Sequence, residues 1–198
     1  MKARVLVVPE DFRQDQYVLK PLVTALIEAA VGPGAVVRVC QDPLLGGVSE
    51  ALKPARIREI VAKYQAMVDL ILIIVDRDGE EGRRARLDFV EREAAPTGAC
   101  ALIAGEAWQE VEVWVLAGMT DLPKGWRWKE IRAERDPKER FFGPYAVQRG
   151  LAQSPYEGRD TLAREAARAY KRVRDRCEEV AALEARVRDR LLSPPAAQ

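Results

Sequence analysis

The sequence predicts an α/β fold, in which a mostly parallel, Rossmann-like sheet is flanked by helices and followed by a helical C-terminal extension. Four short apolar runs have the length of strands and lack polar alternation, which is typical of parallel strands buried on both faces. Segments with apolar residues at helical spacing separate these runs. After residue 118 this alternation stops and helical periodicity dominates.

The first half of the chain supplies the strands and their flanking helices. Predicted strands cover residues 4–9, 35–40, 69–75 and 99–104, and predicted helices cover residues 16–31, 56–64, 80–93 and 106–117. Asp15 is predicted to cap the first of these helices, and Gly32-Pro33-Gly34 to end it. The glycine-rich loop at 42–49 fits either a phosphate contact or an ordinary turn, since it lacks the Lys-Ser/Thr of a P-loop.

The second half of the chain predicts helices rather than strands. Residues 122–154 combine proline, glycine and paired aromatics without strong periodicity, whereas residues 158–192 are predicted to be helical and are rich in arginine. We therefore expect an α/β domain over residues 1–118 and a helical extension over residues 119–198 that packs on the same domain.

The composition excludes several classes of function. The chain has 198 residues, a formal net charge of +1, and neither histidine nor asparagine. Histidine-based triads, dyads and zinc sites are therefore excluded, so catalysis would rest on carboxylates, other polar groups or a metal. Three widely separated cysteines are typical of a reduced cytosolic core. Because no apolar run reaches about 20 residues and no signal-peptide pattern is present, we expect a cytoplasmic protein without membrane contact.

Acidic residues follow two of the predicted strands. Glu10 and Asp11 follow the first strand, and Asp76 and Asp78 follow the third. Because the carboxyl ends of neighbouring parallel strands share one sheet edge, these carboxylates are expected to converge and to hold Mg²⁺ or Mn²⁺. On an extended segment Asp76 and Asp78 would point to one side and Arg77 away from it. The alternative is that the acids are ordinary turn residues and helix caps.

A further acidic group lies within the predicted helix at 106–117. Glu106 and Glu110 would share one helix face, while Glu112 would project elsewhere. This spacing makes Glu110 the candidate for an additional ligand or for a residue that supports the ligands.

The acidic pattern, Glu10 after one strand and Asp76 and Asp78 after another, resembles the Toprim fold of topoisomerases, primases and overcoming-lysogenisation-defect nucleases. The chain is most similar to small stand-alone prokaryotic Toprim-like proteins. Four further segments carry this similarity, at residues 15–22, 109–114, 136–139 and 176–179. Two positions depart from the family pattern: Asp11 replaces a glycine, and Gly82 lies four residues after Asp78 rather than three.

The resemblance implies Mg²⁺- or Mn²⁺-dependent phosphodiester chemistry. Glu10 would be a general acid/base or ligand, and Asp76 and Asp78 would be metal ligands. Glu110 is a further candidate catalytic residue. The expected function is a nuclease that acts on DNA or RNA, in phage defence or DNA repair, with a partner ATPase.

Two questions stay open from the sequence. The basic residues Lys138, Arg149 and Arg159 lie either near the substrate phosphates or on the solvated surface. The alternative function is a non-catalytic Toprim-like module that regulates a partner ATPase. Its interface would use five aromatic residues, which otherwise would cover one end of the core: Trp126, Trp128, Phe141, Phe142 and Tyr145.

Overall fold

The computed structural model describes residues 2–192, so residues 193–198 of the predicted extension lie outside the described part of the chain. Its strands are β1 (Arg4–Pro9), β2 (Val36–Val39), β3 (Leu70–Asp76) and β4 (Ala101–Ala107). Its α-helices are α1 (Phe12–Val31), α2 (Val48–Ala51), α3 (Pro54–Tyr64), α4 (Arg83–Glu93), α5 (Glu112–Gly118), α6 (Trp128–Ala133), α7 (Gly143–Gln148), α8 (Arg159–Arg168), α9 (Tyr170–Arg176) and α10 (Glu178–Leu192). A π-helical turn at Lys138–Phe142 and a 3-10 turn at Pro155–Gly158 complete the secondary structure.

The four strands form one parallel sheet in the order β2-β1-β3-β4. This confirms the predicted fold class. β1 and β3 are neighbours, with Pro9 opposite Ile74, so Glu10 and Asp76 emerge at the same edge of the sheet. β3 also pairs with β4 as far as Asp76 opposite Ala107.

Both faces of the sheet are covered, which explains the continuous apolar character of the central strand. In β3, Leu70, Leu72 and Ile74 face the helices that include α1 and the C-terminal helices. The intervening side chains face α3 and α4, and every residue from 70 to 75 is at most 1% exposed. Burial on both faces removes the polar alternation that a one-sided sheet would show.

The C-terminal helices complete the core on the α1 side of the sheet. α8 and α10 pack against α1, and α8 also packs against α5. The α5–α8 contact is close, since a Cβ atom on Gly118 would lie 2.6 Å from the Cα of Ala166. The region 158–192 is helical, as predicted, and consists of three helices separated at Ala169 and Cys177.

Two predicted boundaries are wrong. The first helix begins at Phe12, and Asp11, not Asp15, caps it by accepting the N–H of Arg13. The predicted helix at 106–117 is strand up to Ala107 and helix only from Glu112. The longer strand follows from its pairing with the last residues of β3.

The outer edge of β4 is closed by side chains rather than by another strand. The backbone N–H of Ala104 donates to Glu91, and its carbonyl accepts from Arg84 and Arg186. Glu91 also pairs with both arginines. We call Glu91, Arg84 and Arg186 the edge cluster, because an uncovered edge would offer these backbone groups to another chain.

The aromatic residues of the segment between α5 and α8 belong to the core. Phe141, Phe142 and Tyr145 are buried, while Trp126 and Trp128 are partly buried against them. The ring of Trp126 contacts that of Phe141 edge-on, with 4.9 Å between centroids. No helix within residues 2–192 has both the length and the apolar character needed to cross a bilayer.

Candidate metal centre

Glu10 and Asp76 are joined at the carboxyl edge of the sheet. The Oε2 atom of Glu10 accepts the backbone N–H of Asp76 at 3.1 Å. Asp76 in turn accepts the N–H of Val111 through Oδ1 at 2.9 Å. These bonds tie the ends of β1 and β3 to the loop that follows β4, and they orient both carboxylates.

Two more carboxylates are held in the same way. Asp15 accepts the N–H of Asp11 through Oδ2 at 3.1 Å, and Glu110 accepts the N–H of Lys138 through Oε2 at 2.8 Å. Glu10, Asp15, Asp76 and Glu110 thus share one arrangement, and we call them the acidic cluster. In each of them one oxygen has a backbone donor, and the other oxygen has no donor within residues 2–192.

The free oxygens of the acidic cluster are open rather than sealed. The buried side-chain atoms that lack a partner in the described part of the chain belong to other residues. Each of the four free oxygens therefore keeps a path to solvent, or to a ligand that replaces solvent. A carboxylate fixed through one oxygen and open at the other is oriented as a ligand for a hard cation.

The acidic cluster favours protonated or neutralised carboxylates. Burial raises the pKa of Glu10 to about 7, opposed by its backbone hydrogen bond. Burial likewise raises the pKa of Asp15 and of Glu110 to about 7 each. The pKa of Asp76 is raised well above its ordinary value, first by burial and then by the charges of Glu10, Glu112, Asp15 and Glu110. These mutual effects show that the carboxylates lie within range of one another, where a cation would offset their repulsion.

Glu112 adjoins the acidic cluster but has its own counter-charge. It is 4% exposed, and its Oε1 accepts Nε of Arg159 at 3.0 Å. Arg159 is 1% exposed and comes from the start of α8. The expectation that Glu112 projects elsewhere is therefore wrong. It assumed a helix from residue 106, whereas α5 begins only at Glu112.

Asp78 differs from Asp76 although only one residue separates them. Its side chain is 48% exposed and pairs with Arg83 at 3.5 Å. Its φ angle of 52° turns the chain away from the extended path that would have aligned the two aspartates. The structure thus turns Asp78 away from Asp76 and gives it a guanidinium partner, while its charge still raises the pKa of Glu10.

The backbone around these residues is strained. Asp78 and Gln109 both have left-handed φ angles, 52° and 65°, which non-glycine residues rarely adopt. They contact each other, because the N–H of Asp78 donates to the carbonyl of Gln109 at 3.2 Å. The same carbonyl accepts from Arg77 at 2.9 Å. Strain concentrated in two adjoining loops is a recurrent feature of functional sites.

The carboxylate oxygens of the acidic cluster are the type of ligand that a hard divalent cation prefers. Their side chains do not surround a common point in this structure. Across residues 2–192, no three Asp, Glu, Cys or His side chains are close enough to hold an ion as they stand. Four carboxylates with one free oxygen each supply the ligand type that Mg²⁺ and Mn²⁺ prefer. Binding would require small side-chain movements, which the attraction of a cation for these charges favours.

Of the predicted site residues, Glu10, Asp76 and Glu110 lie within range of one another, and Asp78 lies near Glu10 but pairs with Arg83. The sequence-based reasoning missed Asp15, which it treated as a helix cap. The signal was its spacing, since an acid one turn into a helix that follows Glu10 faces back toward the strand end.

The three basic residues proposed near the phosphates have different environments. Lys138 adjoins the acidic cluster, with its Nζ 3.1 Å from Oε1 of Gln14. Arg149 is engaged by Glu165 and Tyr145, and Arg159 is buried. Only Lys138 is therefore placed to meet a ligand of the cluster.

Comparison of the chain with protein-family models, curated proteins and solved structures gives no match. The functional argument therefore rests on the residues themselves.

Proposed function

We propose that the protein is a metal-dependent phosphodiesterase, a nuclease of the Toprim type that acts on DNA or RNA. The observation that carries the proposal is the acidic cluster, in which four carboxylates each keep one free oxygen beside strained loops. Oxygen-only ligation by several acids is typical of the magnesium sites that process phosphate esters.

The roles of the residues follow from which oxygens are free. Asp76 lies at the centre of the cluster, so its Oδ2 is the principal ligand atom, supported by Asp15 and Glu110. Glu10 either holds the cation or takes the proton of the attacking water through Oε1, and both roles need its charge. A bound Mg²⁺ or Mn²⁺ would polarise a phosphoryl oxygen and activate water.

The wider setting is part of the same proposal. The sequence has no GxxxxGK[ST] motif, so any linked nucleotide hydrolysis needs a partner ATPase, as expected in phage defence or DNA repair. The three free, buried and widely separated cysteines fit a reducing, cytoplasmic site of action.

The test compares Glu10→Gln with wild type, using Glu93→Gln as a matched control. Glu93 is an exposed residue at the C-terminal end of α4, and within residues 2–192 its side chain pairs only with Arg92. Labelled single-stranded DNA, duplex DNA and RNA are incubated with each protein in Mg²⁺ and in Mn²⁺. Glu10→Gln should reduce cleavage by at least about 100-fold and leave the fold intact, whereas Glu93→Gln should cleave as wild type does.

Two outcomes would contradict the proposal. Wild-type cleavage that persists in Glu10→Gln would show that the cluster does not carry the reaction. Absence of wild-type cleavage on all three substrates, together with no rise in melting temperature at millimolar Mn²⁺, would favour the non-catalytic module.

A further inference from the structure

Arg77 lies between Asp76 and Asp78 and has no ionic or hydrogen-bonded partner for its side chain in the described part of the chain. Its guanidinium stacks on the indole of Trp108, with Cζ 3.9 Å from the ring centroid. None of its nitrogens is sealed from solvent. A charge in this position is held in place but not neutralised.

Three buried or partly buried arginines of the molecule are neutralised by acids, whereas Arg176, which stacks on Trp128, has only a backbone carbonyl as partner in the described part of the chain. Arg83 pairs with Asp78, and Arg132 makes two bonds to Glu179 at 2.7 and 2.9 Å. Arg159 pairs with Glu112. Arg77 therefore differs in kind from these structural arginines.

Trp108 is itself fixed, so that it forms a rigid support for Arg77. Its Nε1 donates to the carbonyl of Arg132 at 2.7 Å, and its backbone N–H donates to Glu179 at 3.3 Å. Stacking engages only the flat face of a guanidinium and leaves the in-plane N–H groups available. Such an oriented fork matches a phosphate, which accepts two parallel hydrogen bonds.

A second guanidinium lies near the loop that follows β3. Arg135 packs against Gly79, where a Cβ atom would be 2.7 Å from its Nη2. Gly79 has a φ of 68°, a left-handed conformation that favours glycine. The Arg135 side chain also has no acidic partner within residues 2–192. The loop after β3 is thus flanked by two unneutralised arginines.

We propose that Arg77, supported by Trp108 and assisted by Arg135, binds a backbone phosphate of a polynucleotide next to the one at the acidic cluster. This inference rests on the proposed function and adds to it a site for the flanking part of the substrate. Arg77 is set by its neighbours before any ligand arrives, so little side-chain entropy is lost on binding.

The test measures binding of a fluorescein-labelled 15-nucleotide single strand, as DNA and as RNA, by anisotropy at several salt concentrations. Ca²⁺ replaces Mg²⁺ to allow binding without cleavage. The variants are Arg77→Gln, Arg135→Gln and Trp108→Leu. The control is Arg38→Gln, an exposed arginine on β2, three strands away from β4.

Arg77→Gln should weaken binding about tenfold and reduce the slope of log K against log salt by about one, since one phosphate contact is lost. Arg135→Gln should give a smaller loss of the same kind. Trp108→Leu should weaken binding roughly threefold with the slope unchanged, because the charge remains but is no longer held. Arg38→Gln should match wild type.

The inference fails if Arg77→Gln and Arg38→Gln have the same affinity and slope, or if wild type binds neither strand. Its failure is separable from that of the proposed function. If wild type cleaves and Glu10→Gln does not, but Arg77→Gln binds normally, then only the arginine assignment is overturned. Equal effects on DNA and RNA would place the contact on the phosphate, whereas a loss confined to one of them would contradict it.

Discussion

The acidic cluster and the edge cluster show two ways in which this fold treats a carboxylate. In the edge cluster, Glu91 accepts from a backbone N–H and from two arginines, so its charge is fully matched. In the acidic cluster, each carboxylate accepts one backbone N–H and, within residues 2–192, no hydrogen bond from a guanidinium. Glu112, paired with Arg159, is an acid of the first kind placed beside acids of the second kind.

The difference distinguishes carboxylates that stabilise the fold from carboxylates that are candidates for function. A matched carboxylate contributes to folding, while an unmatched, desolvated one costs folding energy and persists only if something else favours it. Changes to one kind of carboxylate at a time therefore allow the two kinds to be compared directly.

The largest effect is expected for Asp76→Asn. This change removes the charge at the centre of the acidic cluster while keeping the bond to Val111 possible. Cleavage should fall by at least about 1000-fold, and the rise in melting temperature caused by Mn²⁺ should disappear. Without metal the variant should be more stable than wild type, because repulsion is relieved; a less stable variant would contradict the charge argument. Thermal melts with and without Mn²⁺ measure both effects.

The second effect is a pH dependence of stability without metal. Glu10, Asp15 and Glu110 have pKa values of about 7 in the folded chain, raised by burial, against about 4 when unfolded. Between these values the folded chain binds more protons, so the free energy of unfolding should fall as pH rises from 5 to 8. The expected loss is roughly 1–3 kcal/mol per group. Between pH 5 and 8 the melting temperature should change less with pH in Glu10→Gln than in wild type. It should change less again when Mg²⁺ is present.

A change in the edge cluster should affect stability alone. Glu91→Gln leaves Arg186 without its counter-charge and Arg84 with Asp88 alone, and should lower the free energy of unfolding by about 2 kcal/mol. Cleavage measured well below the melting temperature should stay at the wild-type rate. A change in cleavage would mean that the two clusters are coupled.

The smallest effect is expected for Asp78→Asn. Its carboxylate is half exposed and paired with Arg83, so it behaves as an acid of the matched kind despite its place in the motif. Cleavage should fall less than tenfold, far less than for Asp76→Asn. Equal losses in the two variants would show that Asp78 swings into the cluster when a cation binds. Side-by-side rates in Mg²⁺ decide between these results.

The sequence predicted the sheet because burial on both faces leaves a direct trace in composition. Continuous apolar runs located all four strands, and two of those runs ended in the acids that do meet, Glu10 and Asp76. The regularity of parallel sheets then placed those ends on one edge. The positions of the strands and the meeting of Glu10 with Asp76 therefore follow from local sequence pattern and a general rule of sheet topology.

The rest of the site depends on contacts that local pattern does not contain. From sequence alone, Asp15 fits either a helix cap or a ligand. The structure distinguishes the two because Asp11 occupies the cap position. Glu112 is matched by a residue 47 positions away. Asp78 has a left-handed φ, which the Asp-Arg-Asp sequence does not predict. Tertiary pairing therefore decided which acids stay unmatched.

The packing of α1 against α8 and α10 has a consequence for synthesis of the chain. The sheet and α1 leave the ribosome well before the helices that cover them, because α8 and α10 lie at residues 159–192. Until those helices emerge, Val18, Leu22 and Ile27 lack part of their apolar surroundings. Folding during translation must then wait until residues 159–192 emerge, and until that point the nascent protein exposes apolar side chains of α1 to chaperones.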